Sequence, residues 1–297
     1  MSGCDDCGLV FSNPQPTAEE LSRFYSPAGE WVSRQAGQSA RAVAPVDEPH
    51  GRSWSRAFDP IRGKLSVRSP PAGARVLDFG CGNGKLLDAL QESGWQTFGV
   101  ETAVDAAFPR HLRLDAVPDT PVFDLIVANH VFEHVTDPLD LLRQFARACR
   151  VGGYLLVDVP RFDTLPIHRD FKYVINGHAH VTAYTWPCLQ GLLARAGWKP
   201  VEPPPDRLSG DQGPHTCARL RVLAQRVEEH VEPPPSPARA ARTAIRRYHA
   251  DVDGRLLLER LGLYRLAART AETRRRHAAE TGQSAKTTGR DVDETRH

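Results

Sequence analysis

The chain has 297 residues, of which 40% are hydrophobic and 25% charged, with a formal net charge of +2. That length holds one large domain with appendages, the composition is ordinary for globular proteins, and the charge by itself is too small to imply a nucleic-acid partner. From Ala238 onward fourteen Lys and Arg stand against eight Asp and Glu, so a basic tail follows a mildly acidic body. The start carries neither a basic n-region nor an apolar h-region, and no run approaches the ~18 apolar residues of a membrane span. Cysteines at 4, 7, 81, 149, 188 and 217 are scattered, which fits a reduced, cytoplasmic compartment better than a disulfide scaffold.

In chain order, residues 1–52 read as an N-terminal extension that opens on Cys4-x-x-Cys7 and continues through an Arg-, Pro-, Ser- and Gly-rich stretch. Residues 53–227 alternate strand and helix signals, starting with an expected helix over Trp54–Val67. Ala74–Phe79 is a short apolar run stopped by glycines, a strand. Lys85–Ser93 sets Leu86, Leu87 and Leu90 on one helical face and ends at Gly94. Gln96–Val100 and Phe123–Ala128 are further strands, the second nearly all apolar, as expected of one covered on both faces. Pro138–Arg150 places Leu142, Phe145, Ala146 and Cys149 at amphipathic helical spacing, with Gly152-Gly153 as the stop. Tyr154–Val159 is another buried strand. Thr185–Ala196 is a helix with Thr185 as N-cap and Pro187 in its first turn, and Thr216–Gln225 is a final strand suited to antiparallel pairing. Beyond the Pro233–Pro237 cluster, residues 238–277 read as a basic helical extension and 278–297 as a polar tail too poor in apolar residues to order. The fold class is therefore α/β: a Rossmann-like, doubly wound, mostly parallel sheet with a final antiparallel strand.

The chemistry concentrates at Asp78-Phe79-Gly80-Cys81-Gly82-Asn83-Gly84, between the first strand and first helix of that sheet. Ligands of such sheets bind at the carboxyl ends of the strands, where glycines let backbone turn sharply and approach closely. Lys85 stands where a pyrophosphate-binding Gly-x-Gly-x-x-Gly needs its third glycine. An acid ahead of the turn, Asp78, and another closing the next strand, Glu101, carry more information than the glycines alone.

Leu77–Gly84 resembles motif I of class I S-adenosylmethionine-dependent methyltransferases. Glu101 matches the family acid that binds the ribose hydroxyls, Phe123–Val135 is similar to the fourth-strand motif, and Ala196-Gly197-Trp198 to the turn after the last helix. The resemblance implies S-adenosyl-L-methionine as cofactor, with Gly80, Cys81, Gly82 and Gly84 along its methionine moiety, Asp78 near its amino group and Asn129 as a further cofactor-binding residue. It puts Asp115 near the adenine, with Asp119 as the alternative, although the link from Glu101 to Asp115 is short for a family that usually fits a helix there. Cys4–Pro16 is similar to the second half of a small zinc ribbon that precedes some bacterial methyltransferases of sugar, glycan and natural-product pathways. Structural zinc takes four ligands. Cys4 and Cys7 supply two, so a leftover hairpin is the favoured reading.

Methyl transfer from a sulfonium is an in-line displacement with a neutral leaving group, so alignment is the enzyme's main task. A hydroxyl or acidic-carbon acceptor also loses a proton, which suits histidine. His134 follows the fourth strand, as a proton carrier or a loop-shaping residue. His178 and His180 precede the helix at Thr185, as substrate-facing groups or a surface pair. Cys81 reads as a small buried thiol rather than a nucleophile.

The acceptor expected is a small molecule, sugar or glycan precursor, methylated on oxygen or carbon. Nucleic acid is disfavoured because Asn129-His130-Val131-Phe132 stands where an Asn-Pro-Pro-Tyr-type motif would be. A non-catalytic module of the same fold is the alternative, and a nicotinamide oxidoreductase a weaker one. Arg239, Arg242, Arg246 and Arg247 could form one basic face of the extension, either solvated or set against an anionic membrane surface.

Overall fold

In a computed structural model the described residues are 1–26, 70–82, 84–101, 111–163, 180–201, 219–235 and 237–260. The expected helix over Trp54–Val67, Asn83, His178, Cys217 and the tail 278–297 lie outside them.

A hairpin opens the chain, β1 (Ser2–Gly3) pairing antiparallel with β2 (Val10–Phe11), and Cys4 and Cys7 sit in its turn. Helix α1 (Ala18–Tyr25) follows; Thr17 accepts the Glu20 amide while the Glu20 carboxylate accepts the Thr17 amide. This reciprocal cap satisfies two amides that helix geometry leaves unbonded.

The alternating region then delivers β3 (Arg75–Phe79), α2 (Lys85–Glu92), β4 (Gln96–Val100), β5 (Leu112–Leu114) and β6 (Phe123–Asn129). A 3-10 turn (Phe132–His134) leads to α3 (Pro138–Ala148) and β7 (Cys149–Pro160). After β8 (Thr182–Ala183) come α4 (Trp186–Arg195), β9 (Trp198–Pro200), β10 (Arg219–Arg226) and α5 (Pro237–Arg260). One correction concerns α3. It stops at Ala148, short of the expected Arg150, because Cys149 already pairs with Phe123 and the Val122 amide donates to the Ala148 carbonyl. Cys149 is buried as expected, but as the first residue of a strand.

Among the described residues the main sheet has seven strands in the order β5-β4-β3-β6-β7-β10-β9, with β10 antiparallel to both neighbours. Strand order reverses between β3 and β6, which pair in parallel, so the crevice at the carboxyl ends opens beside the glycine turn. Leu77, Ile126, Leu155 and Val157 face one layer with Leu142, Phe145, Leu189 and Leu193 of α3 and α4. Val76, Leu125, Val127 and Leu156 face the other, against Leu86 and Leu90 of α2. That double coverage is why these strands read as unbroken apolar runs. A second, three-stranded sheet, β1-β2-β8, joins the N-terminal hairpin to the segment before α4.

The chain forms two compact units, Met1–Ile245 and Arg246–His297. Within the first, Ala238, Ala241 and Ala244 of α5 are buried while Arg239 and Arg242 are exposed; Arg246 and Arg247, in the second, are exposed too. No helix among the described residues is long and apolar enough to cross a membrane.

Candidate functional site

The glycine turn caps the carboxyl end of β3. Its amides tie it to β4: Gly80 and Cys81 donate to the Val100 carbonyl at 2.8 and 3.3 Å, and Gly82 donates to the Glu101 carboxylate at 2.8 Å. Gly80 has φ +76°, and a Cβ there would lie 2.6 Å from Cγ2 of Val131, so both conformation and space demand glycine. Gly82 has φ +53°, and a Cβ would meet nothing within 4 Å among the described residues, none of which covers its outer side. Asp78 is buried under the turn, and burial, reinforced by the charge of Glu101, pushes its carboxyl up to about 7. Cys81 is buried as well, and its thiol is pushed up to about 12, chiefly by burial, which makes it a poor nucleophile.

An open glycine surface, an acid on the floor and an acid at the end of β4 suit a ligand that carries an amino group and a ribose. Asp115 is exposed just past β5, next to β4 on the same rim, while Asp119 is bound to Arg147. Asn129 closes β6 and its side-chain oxygen accepts from Arg219. Arg219 and Arg221 share the buried carboxylate of Asp158 at 3.0 and 2.8 Å.

A second group of side chains gathers beyond β6. His130 takes φ +53°, a left-handed conformation tolerated by few side chains, and its amide donates to the Asp158 carbonyl. Its Nδ1 lies 2.8 Å from Oε1 of Glu133, which is 1% exposed. Burial pushes the Glu133 carboxyl up, but the His130 bond and the charges of His130, His134 and His180 outweigh it and leave the group below its ordinary value. The His134 and His180 rings meet edge to face at 4.8 Å, and Tyr25 places its hydroxyl 2.7 Å from Nδ1 of His134. Burial, with the charge of Glu133, raises the Tyr25 phenol, so it stays protonated at neutral pH.

This arrangement is held from below. The Phe132 carbonyl accepts from Thr182 Oγ1 at 2.8 Å and Tyr184 Oη at 2.9 Å, both buried. The Val181 amide donates to the Glu133 carbonyl, and the Ser12 amide to the Val181 carbonyl. The N-terminal hairpin therefore supports the turn that carries His134. Sequence reasoning placed His134 and His180 here but missed Glu133 as a ligand-class group and Tyr25 altogether. The Thr17-x-x-Glu20 cap was the available signal for the helix that delivers Tyr25.

Cys4 and Cys7 stay in the hairpin turn. The Cys7 amide, the largest influence on Cys4, lowers its thiol, whereas burial raises that of Cys7. Among the described residues no third His, Cys, Asp or Glu joins them, so the pair does not assemble a structural zinc site by itself.

The comparisons agree with the geometry. A family model described as a methyltransferase domain matches residues 53–202. A ubiquinone biosynthesis O-methyltransferase of Xanthomonas oryzae pv. oryzae is 29% identical over 168 residues, covering 49% of this chain and 64% of that protein. One from Xylella fastidiosa is 31% identical over 128 residues, covering 37% and 52%. The chain thus spans less than two thirds of the length of these relatives. Among solved structures, the 1,6-didemethyltoxoflavin-N1-methyltransferase of Burkholderia thailandensis superposes with a TM-score of 0.51 at 18% identity, covering 74% of this chain and 95% of that one. The chain belongs to the methyltransferase-domain family and has the S-adenosylmethionine-dependent class I fold.

Proposed function

We propose that this protein transfers a methyl group from S-adenosylmethionine to a hydroxyl or acidic carbon of a small molecule, sugar or glycan precursor. The observation that carries this reading is the adjacency of the open glycine turn and a polar cluster. The two meet where Val131, on the way to His134, packs on Gly80. S-adenosylmethionine supplies an electrophilic methyl on a sulfur that leaves neutral.

On the protein's side, Gly80, Cys81, Gly82 and Gly84 shape the turn, Asp78 receives the cofactor's ammonium and Glu101 its ribose. Glu101 already accepts the Gly82 amide, which keeps the carboxylate oriented at the end of β4. Asp115, at the end of β5, is the candidate for the adenine edge. The cluster around His134 and His180 handles the acceptor's proton. Tyr25 fixes the His134 ring through Nδ1. The named activity of the relatives, O-methylation, favours oxygen over carbon. A sugar or glycan acceptor is supported by the resemblance of Cys4–Pro16 to zinc-ribbon segments of methyltransferases in such pathways.

Calorimetric titration with S-adenosylhomocysteine tests the cofactor half. Micromolar binding is expected for the full chain and is lost in Asp78→Ala and Glu101→Ala. His134→Ala is expected to keep that binding and to abolish methyl transfer in a screen of phenols and sugars. A folded protein that fails to bind S-adenosylhomocysteine overturns the reading in favour of a non-catalytic module.

A further inference from the structure

The cluster beyond β6 has more order than proton transfer alone requires. Glu133, His134 and His180 each offer one ligand atom, and the three atoms lie within 4.8 Å of one another. Glu133 and His134 are each held by a neighbour. His130 holds Oε1 of Glu133 at 2.8 Å, and the remaining oxygen, Oε2, is buried with no hydrogen-bond partner among the described residues. A buried carboxylate oxygen left unbonded is costly, and such groups in native proteins call for an explanation. Tyr25 Oη holds Nδ1 of His134 at 2.7 Å. If Nδ1 carries the proton, the phenol oxygen accepts it and Nε2 presents its lone pair, the arrangement that outer-shell partners impose on ligating histidines.

We infer that Glu133, His134 and His180 form a binding site for a divalent transition-metal cation. Two imidazoles and one carboxylate make a borderline donor set suited to zinc, cobalt, manganese or iron(II) rather than to calcium or magnesium. Three protein ligands leave at least one coordination position open. The site draws its carboxylate and one imidazole from the 3-10 turn after β6, and its other imidazole from the segment leading into β8. Tyr25, at the end of α1, orients the first imidazole and is a positioning residue. For catalysis the inference rests on the methyltransferase reading. A cation held here would bind the acceptor oxygen at its open position and favour the ionised form, the proton passing to solvent, so that His134 and His180 act as ligands in place of carrying that proton themselves.

Cobalt(II) titrated into the full, metal-stripped chain tests the site without any turnover. The expected result is one equivalent bound, with visible absorption of nitrogen and oxygen coordination. That absorption disappears in His180→Ala and in Glu133→Gln, and affinity falls about ten- to a hundredfold in Tyr25→Phe. Thermal melts of each variant check folding, and His180→Ala decides alone if Glu133→Gln does not fold. Absence of binding by the wild-type chain overturns the inference. So does absorption that survives both ligand substitutions, or that vanishes only when Cys4 and Cys7 are changed to serine. S-adenosylhomocysteine titrations on the same samples separate the two claims. Cobalt uptake without nucleoside binding removes the methyltransferase reading and leaves the metal site standing.

Discussion

The glycine turn and the histidine cluster lie side by side at the carboxyl ends of β3 and β6, yet the chain builds them in opposite ways. The turn comes from one stretch, Asp78 to Glu101, in which a strand, a turn, a helix and a second strand follow directly. The cluster draws on Tyr25, the His130–His134 segment and His180, brought together by β2 pairing with β8 and by β8 holding the 3-10 turn. The first is local in sequence; the second depends on long-range contacts. The two touch through Gly80 and Val131.

Gly80→Ala breaks the comparison most severely, because it strikes both halves. A left-handed alanine costs roughly 1–2 kcal/mol. The added Cβ would meet Val131 at 2.6 Å, which forces the segment leading to His134 to shift. Calorimetry is expected to find S-adenosylhomocysteine affinity reduced more than about tenfold, alongside a lower melting temperature and loss of turnover. A variant that binds normally and fails only in turnover would mean that the turn is not the cofactor's seat.

Thr182→Val and Tyr184→Phe sharpen the contrast by touching one half only. Both hydroxyls reach the Phe132 carbonyl, which also accepts the Val135 amide, so either substitution alone leaves it two partners, and each should cost about 1 kcal/mol. The double variant leaves the carbonyl only the Val135 amide, at 3.1 Å, and its cost should depart from the sum of the two, since residues in one network couple. Turnover is expected to fall about tenfold as the His134 turn loosens. S-adenosylhomocysteine binding should stay within about twofold of wild type. Equal losses in binding and turnover would show that the two halves are a single cooperative unit.

The contrast also explains what was legible in the sequence. Glycines between an apolar run and an amphipathic helix, followed by an acid closing the next strand, write the turn locally. The strands β3, β4 and β6 follow from apolar runs that two layers of helices then cover. By contrast β1, β2, β8 and β9 are two or three residues long and exist through their partners, so no periodicity marks them. Glu133 read as a loop residue because its burial depends on Val181 and on the hairpin behind it. Tyr25 was invisible for the same reason, being 109 positions from the histidine it binds. The early end of α3 was equally non-local, since Phe123 recruits Cys149 into the sheet against a helical pattern.

Asp78 gives a milder test through pH. Its carboxyl is raised to about 7 in the ligand-free fold. The group therefore contributes stability below the unfolded carboxylate value, and that contribution is lost as pH rises through about 7. An ammonium bound beside it favours the carboxylate, so binding releases a proton and tightens with rising pH. Between pH 6 and 8 the affinity for S-adenosylhomocysteine is expected to increase about tenfold. Asp78→Asn should flatten that rise and reduce the pH dependence of the ligand-free melting temperature. A wild-type affinity that does not vary over this range would move the ammonium away from Asp78.

Asp6→Ala carries the smallest expected effect. Arg195 of α4 grips both oxygens of Asp6, at 2.7 and 3.0 Å, and so links the hairpin turn to the helix after β8. Asp6 is 75% exposed, so solvent and salt screen the pair. A melting shift of no more than about 3 °C is expected at neutral pH. Arg195 lowers the Asp6 carboxyl below its ordinary value, so the pair's contribution is present above the unfolded carboxylate value. It disappears as pH falls through the lower folded value, and wild type and variant should converge in acid. S-adenosylhomocysteine affinity should not change, because among the described residues no bond runs from this pair to the glycine turn. Turnover is the informative reading. If the backbone bonds of β2 to β8 suffice to seat the His134 turn, turnover stays at the wild-type level. A fall in turnover larger than the loss in stability would mean that the hairpin's position, and with it the histidine cluster, is set by side-chain pairs at its rim.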